Sequence, residues 1–273
     1  MATMRAALAT PRLTVHELLC GSPRSGKGPT RGGESTHVVF VRRGMFAAHV
    51  GSRRFLADPC TALVSWEGLE YQISHPCHGG DDCTVFELDA ALADELLAGL
   101  EPRRDLELRL TPAHFAAYAG VHAALATPSD QLAAEERALA LVGTVAGAST
   151  RARPGTARRR IAQAAVELLN AELASSPSVS SIADAIGDSP YHLMHAFRAE
   201  LGTTLRAYRL QLRIAIALHR LAAGDDLAAL AAELGFASHA HFTGTFSRLL
   251  GMPPRSARVR MRTFLEARRA GAT

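Results

Sequence analysis

The stretch from Gly235 to Phe246 reads GFASHAHFTGTF. Three phenylalanines sit among two glycines, two histidines and two threonines. A metal cluster, a strand with alternating faces and a short helix after a tight turn all deserve testing against it. His239 and His241 are two positions apart, so on a helix they diverge by roughly 200°. The i,i+4 spacing that brings two helical histidines onto one metal is absent. Phe242 and Phe246 do stand four apart and share one helical face. Ser238 occupies the N-cap position before them. Gly235 ends the apolar-patterned segment that precedes the turn. The stretch therefore predicts a turn, a cap and a helix that buries its phenylalanines.

The pattern occurs twice. SSIADAIGDSPYHLMHAFRAELGTTLRAY, from Ser180, aligns with AALAAELGFASHAHFTGTFSRLLGMPPRSA, from Ala228. Gly187 matches Gly235, and Ser189 matches Ser238 as the cap. Pro190 suits the opening turn of the first helix. Leu193 and Phe197 repeat the buried pair, and Gly202 and Gly251 can end the helices. The caps are offset by 49 residues, and the first turn is one residue shorter. A short helix, a glycine turn and a second helix with a buried face form the helix-turn-helix pattern. A single copy reads equally well as an ordinary helical hairpin. Two copies, capped alike, favour DNA binding.

Charge is distributed in the same sense. Residues 151–273 carry 17 Arg, no Lys and 9 acidic residues, a net +8. Residues 1–150 carry 13 basic and 17 acidic residues, a net −4, so the whole chain is +4. A basic half joined to an acidic half points to nucleic acid at the C-terminal part. No apolar run reaches the roughly 18–20 residues of a membrane span. The N-terminus lacks the apolar core and cleavage site of a secretory signal. The expectation is a cytoplasmic protein with reduced thiols. Its four cysteines, Cys20, Cys60, Cys77 and Cys83, are spaced by 40, 17 and 6 and contain no C-x-x-C.

Residues 36–87 hold short Val, Phe, Ile and Tyr runs punctuated by glycines. These predict a small barrel or double-sheet roll. The Gly/Ser/Pro-rich segment before them predicts a mobile loop. From about Ala90 the spacing turns helical, and Thr111-Pro112 is a helix start. ASTRARPGTARRR predicts a linker. The organisation expected is a sensor or dimerisation domain over 1–150, a linker over 151–157 and a DNA-binding domain over 158–273. The fold class is α+β, a β-barrel domain with helices followed by an all-α domain.

From about Arg158 to Arg262 the chain resembles the DNA-binding domain of the AraC/XylS family of bacterial transcription regulators. IADAIGDSPYHLMHAFRAELGTTLRAY, LRIAIALHRLAAGDD and AAELGFASHAHFTGTFSRLLGMPP carry the likeness. The N-terminal region looks like the family's cupin-like sensor domain, on weaker motifs. The resemblance implies a DNA-binding regulator, an activator among the options, and no enzyme. It implies double-stranded DNA as partner, with RNA polymerase, a small-molecule effector and a second copy as further candidates. No cofactor is expected.

The resemblance puts base contacts at Tyr191, Met194 and His195. Tyr191 and His195 can donate hydrogen bonds, and Met194 offers only apolar contact, unless it packs in the core. Arg198 lies near that face, and Ser189 caps the helix. In the second copy the outward positions are His239, Ala240, Thr243, Gly244 and Ser247. Family members often carry a larger polar or basic residue where Gly244 stands, so weaker direct readout is expected there. Arg209, Arg248, Arg255 and Arg258 are candidate phosphate contacts. The connecting helix TTLRAYRLQLRIAIALHRLAAG should bury Tyr208, Leu212 and Ile216. Arg206, Arg209, Arg213 and Arg220 should be exposed.

Two other readings concern the N-terminal half. His75, Cys77, His78 and Cys83 lie within nine residues, with Cys20 and Cys60 as candidates to approach them, and thiolate with imidazole suits zinc or copper. A thiol- or metal-responsive regulator is one alternative, and a turn loop with buried thiols is the plainer account. A metal-dependent cupin enzyme fused to a DNA-binding tail is the other. Against it, no H-x-H pair precedes residue 239. The helices from about 90 to 145 are candidates for a dimer contact.

Overall fold

Among the described residues, ten strands and three helices make the N-terminal half. In chain order they are β1 (Ala2–Ala9), β2 (Leu13–Cys20), β3 (Arg31–Gly32), β4 (Thr36–Gly44) and β5 (Phe46–Val50). β6 (Arg53–Ala57), β7 (Thr61–Ser65), β8 (Glu70–Ser74), β9 (Asp81–Leu88) and α1 (Ala90–Leu96) follow. β10 (Glu107–Arg109), α2 (Pro112–Leu125) and α3 (Gln131–Gly147) complete it. The C-terminal half is helical: α4 (Thr156–Ala171), α5 (Val179–Ile186), α6 (Pro190–Leu201), α7 (Leu205–Ala222), α8 (Leu227–Glu233) and α9 (His239–Leu250). This computed structural model describes residues 2–23, 25–102, 104–125, 130–148, 156–222 and 224–259. Residues 151–155 of the expected linker, and the tail from 260, lie outside the described residues; Thr156 already opens α4.

The strands form two antiparallel sheets. One has six strands in the order β1-β2-β9-β4-β7-β10; the other has four, β3-β8-β5-β6. Period-two burial explains the pairing. In β2, Leu13 and Val15 point inward, while Thr14 between them and His16 beyond them are half-buried. The expected barrel is corrected on this point: among the described residues no pairing joins β1 to β10, and the sheets stay open. Strand structure also starts at Ala2, well before residue 36. The Gly/Ser/Pro-rich segment is tied to β8, with Gly28 N donating to the Ile73 carbonyl at 2.8 Å and Ser25 bridging His75. Asp89 and Asp130 cap α1 and α3, and Pro112 opens α2.

One apolar core runs through both halves. Phe40 of β4 meets Phe86 of β9 edge-on at 5.3 Å and stacks on Tyr118 of α2 at 5.4 Å. Tyr118 in turn meets His219 of α7 at 5.2 Å. Phe40 and Phe86, both fully buried, each contribute about 1.5–3 kcal/mol of transfer free energy. Polar groups join the halves as well. Asp58, 1% exposed, accepts from Tyr208 Oη at 2.6 Å and Asn170 Nδ2 at 2.9 Å. Its other oxygen accepts from Cys60 N at 3.0 Å, so the buried carboxylate is well satisfied. Burial and the Asp58 charge push the Tyr208 hydroxyl well above its usual range. Arg159 pairs with Glu107 at 2.7 Å, and Arg54 pairs with Glu167, which fastens α4 along β6 and β10.

Candidate nucleic-acid interface

The two helix-turn-helix units form as the repeat predicts. Ser189 Oγ accepts from His192 N at 3.2 Å, and Ser238 Oγ accepts from His241 N at 3.1 Å. Both serines therefore act as N-caps. Gly187 and Gly235 adopt left-handed φ of 71° each, and Gly202 and Gly251 end α6 and α9 in the same region. Gly235 is demanded by space too: a Cβ there would stand 2.1 Å from the Ala174 carbonyl oxygen.

Leu193, Phe197, Phe242 and Phe246 are fully buried. The opposite faces are not equivalent. On α6, Tyr191 is 70% and Met194 48% exposed, so Met194 is not a core residue. His195 and Arg198 are exposed beside them. The Tyr191 and His195 rings lie 4.2 Å apart, one helical turn along the same surface. On α9, His239, Ala240, Gly244 and Arg248 are exposed, whereas Thr243 and Ser247 are half-buried. Thr243 Oγ1 is buried without a hydrogen-bond partner. With the 49-residue offset, Tyr191 corresponds to Ala240, Met194 to Thr243, His195 to Gly244 and Arg198 to Ser247. Every one of these four positions presents a larger side chain in the first unit. A Cβ at Gly244 would meet nothing within 4 Å, so open space surrounds it.

The arginines divide by role. Arg206, Arg248 and Arg255 are exposed. Arg209 is half-buried and donates to the Pro177 carbonyl at 3.3 Å. Arg220 is half-buried between Asp225 and Glu233, at 2.6 Å from each. Arg258 donates to the Asp225 carbonyl. Arg213, expected outside, is buried. It donates to the carbonyls of Leu173 at 3.0 Å, Ser175 at 2.7 Å and Gly235 at 2.8 Å. Its period on the helix suited exposure, but the turn after α4 and the glycine turn offered orphan carbonyls that only a long fork of donors reaches. Burial, with Arg209 nearby, pulls its guanidinium down to about 10.

Two features escaped the sequence. His241 is exposed, with its ring edge-on to Phe236 at 5.4 Å. Helix α2 of the N-terminal half packs against α9. The Cys/His segment at 75–83 does not assemble as a unit. His75 and Cys83 are buried, whereas His78 is exposed. The Cys77 thiol turns to Met45 Sδ, 3.4 Å away.

A family profile described as "Helix-turn-helix domain" matches residues 182–260. No curated protein matches the chain. Among solved structures, an AraC-type DNA-binding-domain regulator from Chromobacterium violaceum is 27% identical, covering 39% of this chain and 96% of its own, with a TM-score of 0.37. ToxT from Vibrio cholerae O395 is 10% identical, covering 92% and 99%, with a TM-score of 0.38. A DNA-binding transcriptional dual regulator from Escherichia coli K-12 is 24% identical, covering 40% and 99%, with a TM-score of 0.34. With its two capped units, the segment that this profile matches is a helix-turn-helix domain.

Proposed function

We propose that the chain is a sequence-specific transcription regulator that lays α6 and α9 into successive major grooves of duplex DNA. The observation that carries this reading is the pair of matched helices, each anchored by buried aromatic or aliphatic residues and each turning a face to solvent. Successive grooves on one side of DNA are about 34 Å apart. Tyr191, Met194 and His195 read base edges, with Arg198 beside them. His239 and Ala240 make shorter-range contacts from α9, while Thr243 and Ser247 sit at its margin. Ser189 and Ser238 contribute as caps whose helix N-termini face phosphate. Arg248 and Arg255 are free to meet phosphates; Arg209 must first leave Pro177. The second unit then reads mostly shape and backbone.

The division into 1–150, a linker over 151–157 and 158–273 is part of the same proposal. In it the open double sheet is the cupin-like sensor, receiving a small-molecule effector. Contact of α2 with α9 supports coupling between the sensor half and the second reader. A dimer contact through the α1–α3 region, RNA polymerase as partner and a cytoplasmic setting complete the reading. Among the described residues no helix is long and apolar enough to cross a membrane.

The test is capture of genomic DNA by the full chain, followed by titration of captured promoters at several salt concentrations. Affinity should fall steeply with salt as phosphate contacts release counterions. Absence of salt-dependent binding to every captured promoter would refute the proposal.

A further inference from the structure

Away from the DNA-binding face, three buried side chains from distant parts of the N-terminal half converge. They are Cys20 at the end of β2, His75 just after β8 and Asp81 at the start of β9. One ligand atom from each lies within 4.8 Å of the other two. Cys20 Sγ is 3.7 Å and Asp81 Oδ1 2.8 Å from the same His75 nitrogen, Nε2. We infer that this cluster is a zinc site with three protein ligands and a fourth position for water. The inference goes beyond DNA binding and does not depend on it.

The shared nitrogen decides between two chemistries. A nucleophilic relay needs the thiol on one imidazole nitrogen and the carboxylate on the other. Here both press on Nε2, as donors around one ion do. An ion about 2.0–2.3 Å from each donor accepts donors up to about 4.6 Å apart. Both measured separations fall inside that limit. Opening the His75–Asp81 pair by about 0.5 Å reaches tetrahedral spacing. Thiolate, imidazole and carboxylate together select zinc over magnesium or calcium, which take oxygen alone.

The surroundings support each ligand. Ser25 Oγ lies 3.3 Å from His75 Nδ1; as acceptor from Nδ1–H, it turns the Nε2 lone pair toward the ion. Ser22 Oγ is 3.1 Å from Cys20 Sγ, and Cys83 Sγ donates to Asp81 Oδ2 at 3.1 Å. The backbone is held as firmly. Cys20 and Asp81 are register partners across β2 and β9. Ser25 and His75 exchange two backbone hydrogen bonds, at 3.0 and 3.2 Å. Gly80, at φ +66°, lets the 76–80 loop fold back, since a Cβ there would stand 1.8 Å from the Cys20 carbonyl oxygen. His75 and Ser25 also line an open cavity of about 550 Å³ beside the cluster.

Of the cluster that sequence proximity suggests, Cys77 and His78 turn away; Cys20, a candidate to approach it, does so, and Asp81, which the spacing did not single out, completes the set. The experiment uses full-length chain without a histidine tag, stripped with a chelator. Zinc affinity is measured against a chromophoric competitor, and cobalt(II) is added as a spectroscopic substitute. One equivalent should bind, with a thiolate-to-cobalt charge-transfer band. Cys20→Ser should abolish the band. Cys20→Ser and Asp81→Asn should each weaken zinc by more than the roughly 10–100-fold typical of a supporting residue, and Ser25→Ala should fall within that range. Cys77→Ser and His78→Ala should bind as the parent does. Circular dichroism checks each fold, and if Cys20→Ser is unfolded, Asp81→Asn carries the decision. Substoichiometric binding by the parent, a cobalt spectrum without the thiolate band, or undiminished binding by folded Asp81→Asn would overturn the assignment.

Discussion

Replacing His195 with alanine probes the asymmetry between the two readers. His195 is exposed on α6 and touches Tyr191 across one turn, with ring centroids 4.2 Å apart. No core contact is lost, so stability should change by no more than about 0.5 kcal/mol. A base-edge contact is worth about 1–3 kcal/mol of discrimination. At one or two base pairs, preference should therefore weaken by about 5- to 150-fold. The matched change on α9 is Gly244→Ala. Nothing lies within 4 Å of the new methyl group, so it should stabilise the helix by up to about 1 kcal/mol and leave base preference unaltered. The assay is competition across single-base variants of a captured operator at fixed salt, with thermal melts of each variant. A flat change for His195→Ala, with sharp losses confined to the half-site under Thr243 and Ser247, would reverse the roles of the two helices.

Three further perturbations test the fold beneath the interface. Phe197→Ala and Phe246→Ala, both at fully buried positions, should each cost about 3–5 kcal/mol in chemical denaturation; unchanged midpoints would mean the helical faces are reversed. Tyr208→Phe removes the donor 2.6 Å from Asp58 and should cost about 1.5–3 kcal/mol, since the acceptor is charged and buried; a neutral outcome would show that the bond between halves is dispensable. The His219 imidazole, half-buried under Tyr118, is pulled down to about 3 by burial and by Arg42. The unfolded chain therefore binds the extra proton below the ordinary histidine pKa of about 6.5, and stability falls with pH from there toward 3. Between pH 7 and 5 this histidine should account for a loss of about 2 kcal/mol, absent in His219→Gln when the two denaturation series are compared.

Local chemistry made the helix-turn-helix units readable without coordinates. A cap, a left-handed glycine and an apolar pair four residues apart act within one or two turns, and Ser189, Ser238, Gly187 and Gly235 all play the parts their positions imply. Alternation likewise showed β-structure after residue 36, but the weaker apolar content of β1 hid the strand that begins at Ala2. Arg213 is a third kind of case. Helical periodicity placed it outside, and only the fold shows the unpaired carbonyls of Leu173, Ser175 and Gly235 that draw it in. That the sheets stay open, the packing of α2 on α9, and the meeting of Cys20, His75 and Asp81 were decided by tertiary structure alone. Each depends on contacts between residues far apart in the chain, and such contacts leave no periodic trace in a sequence.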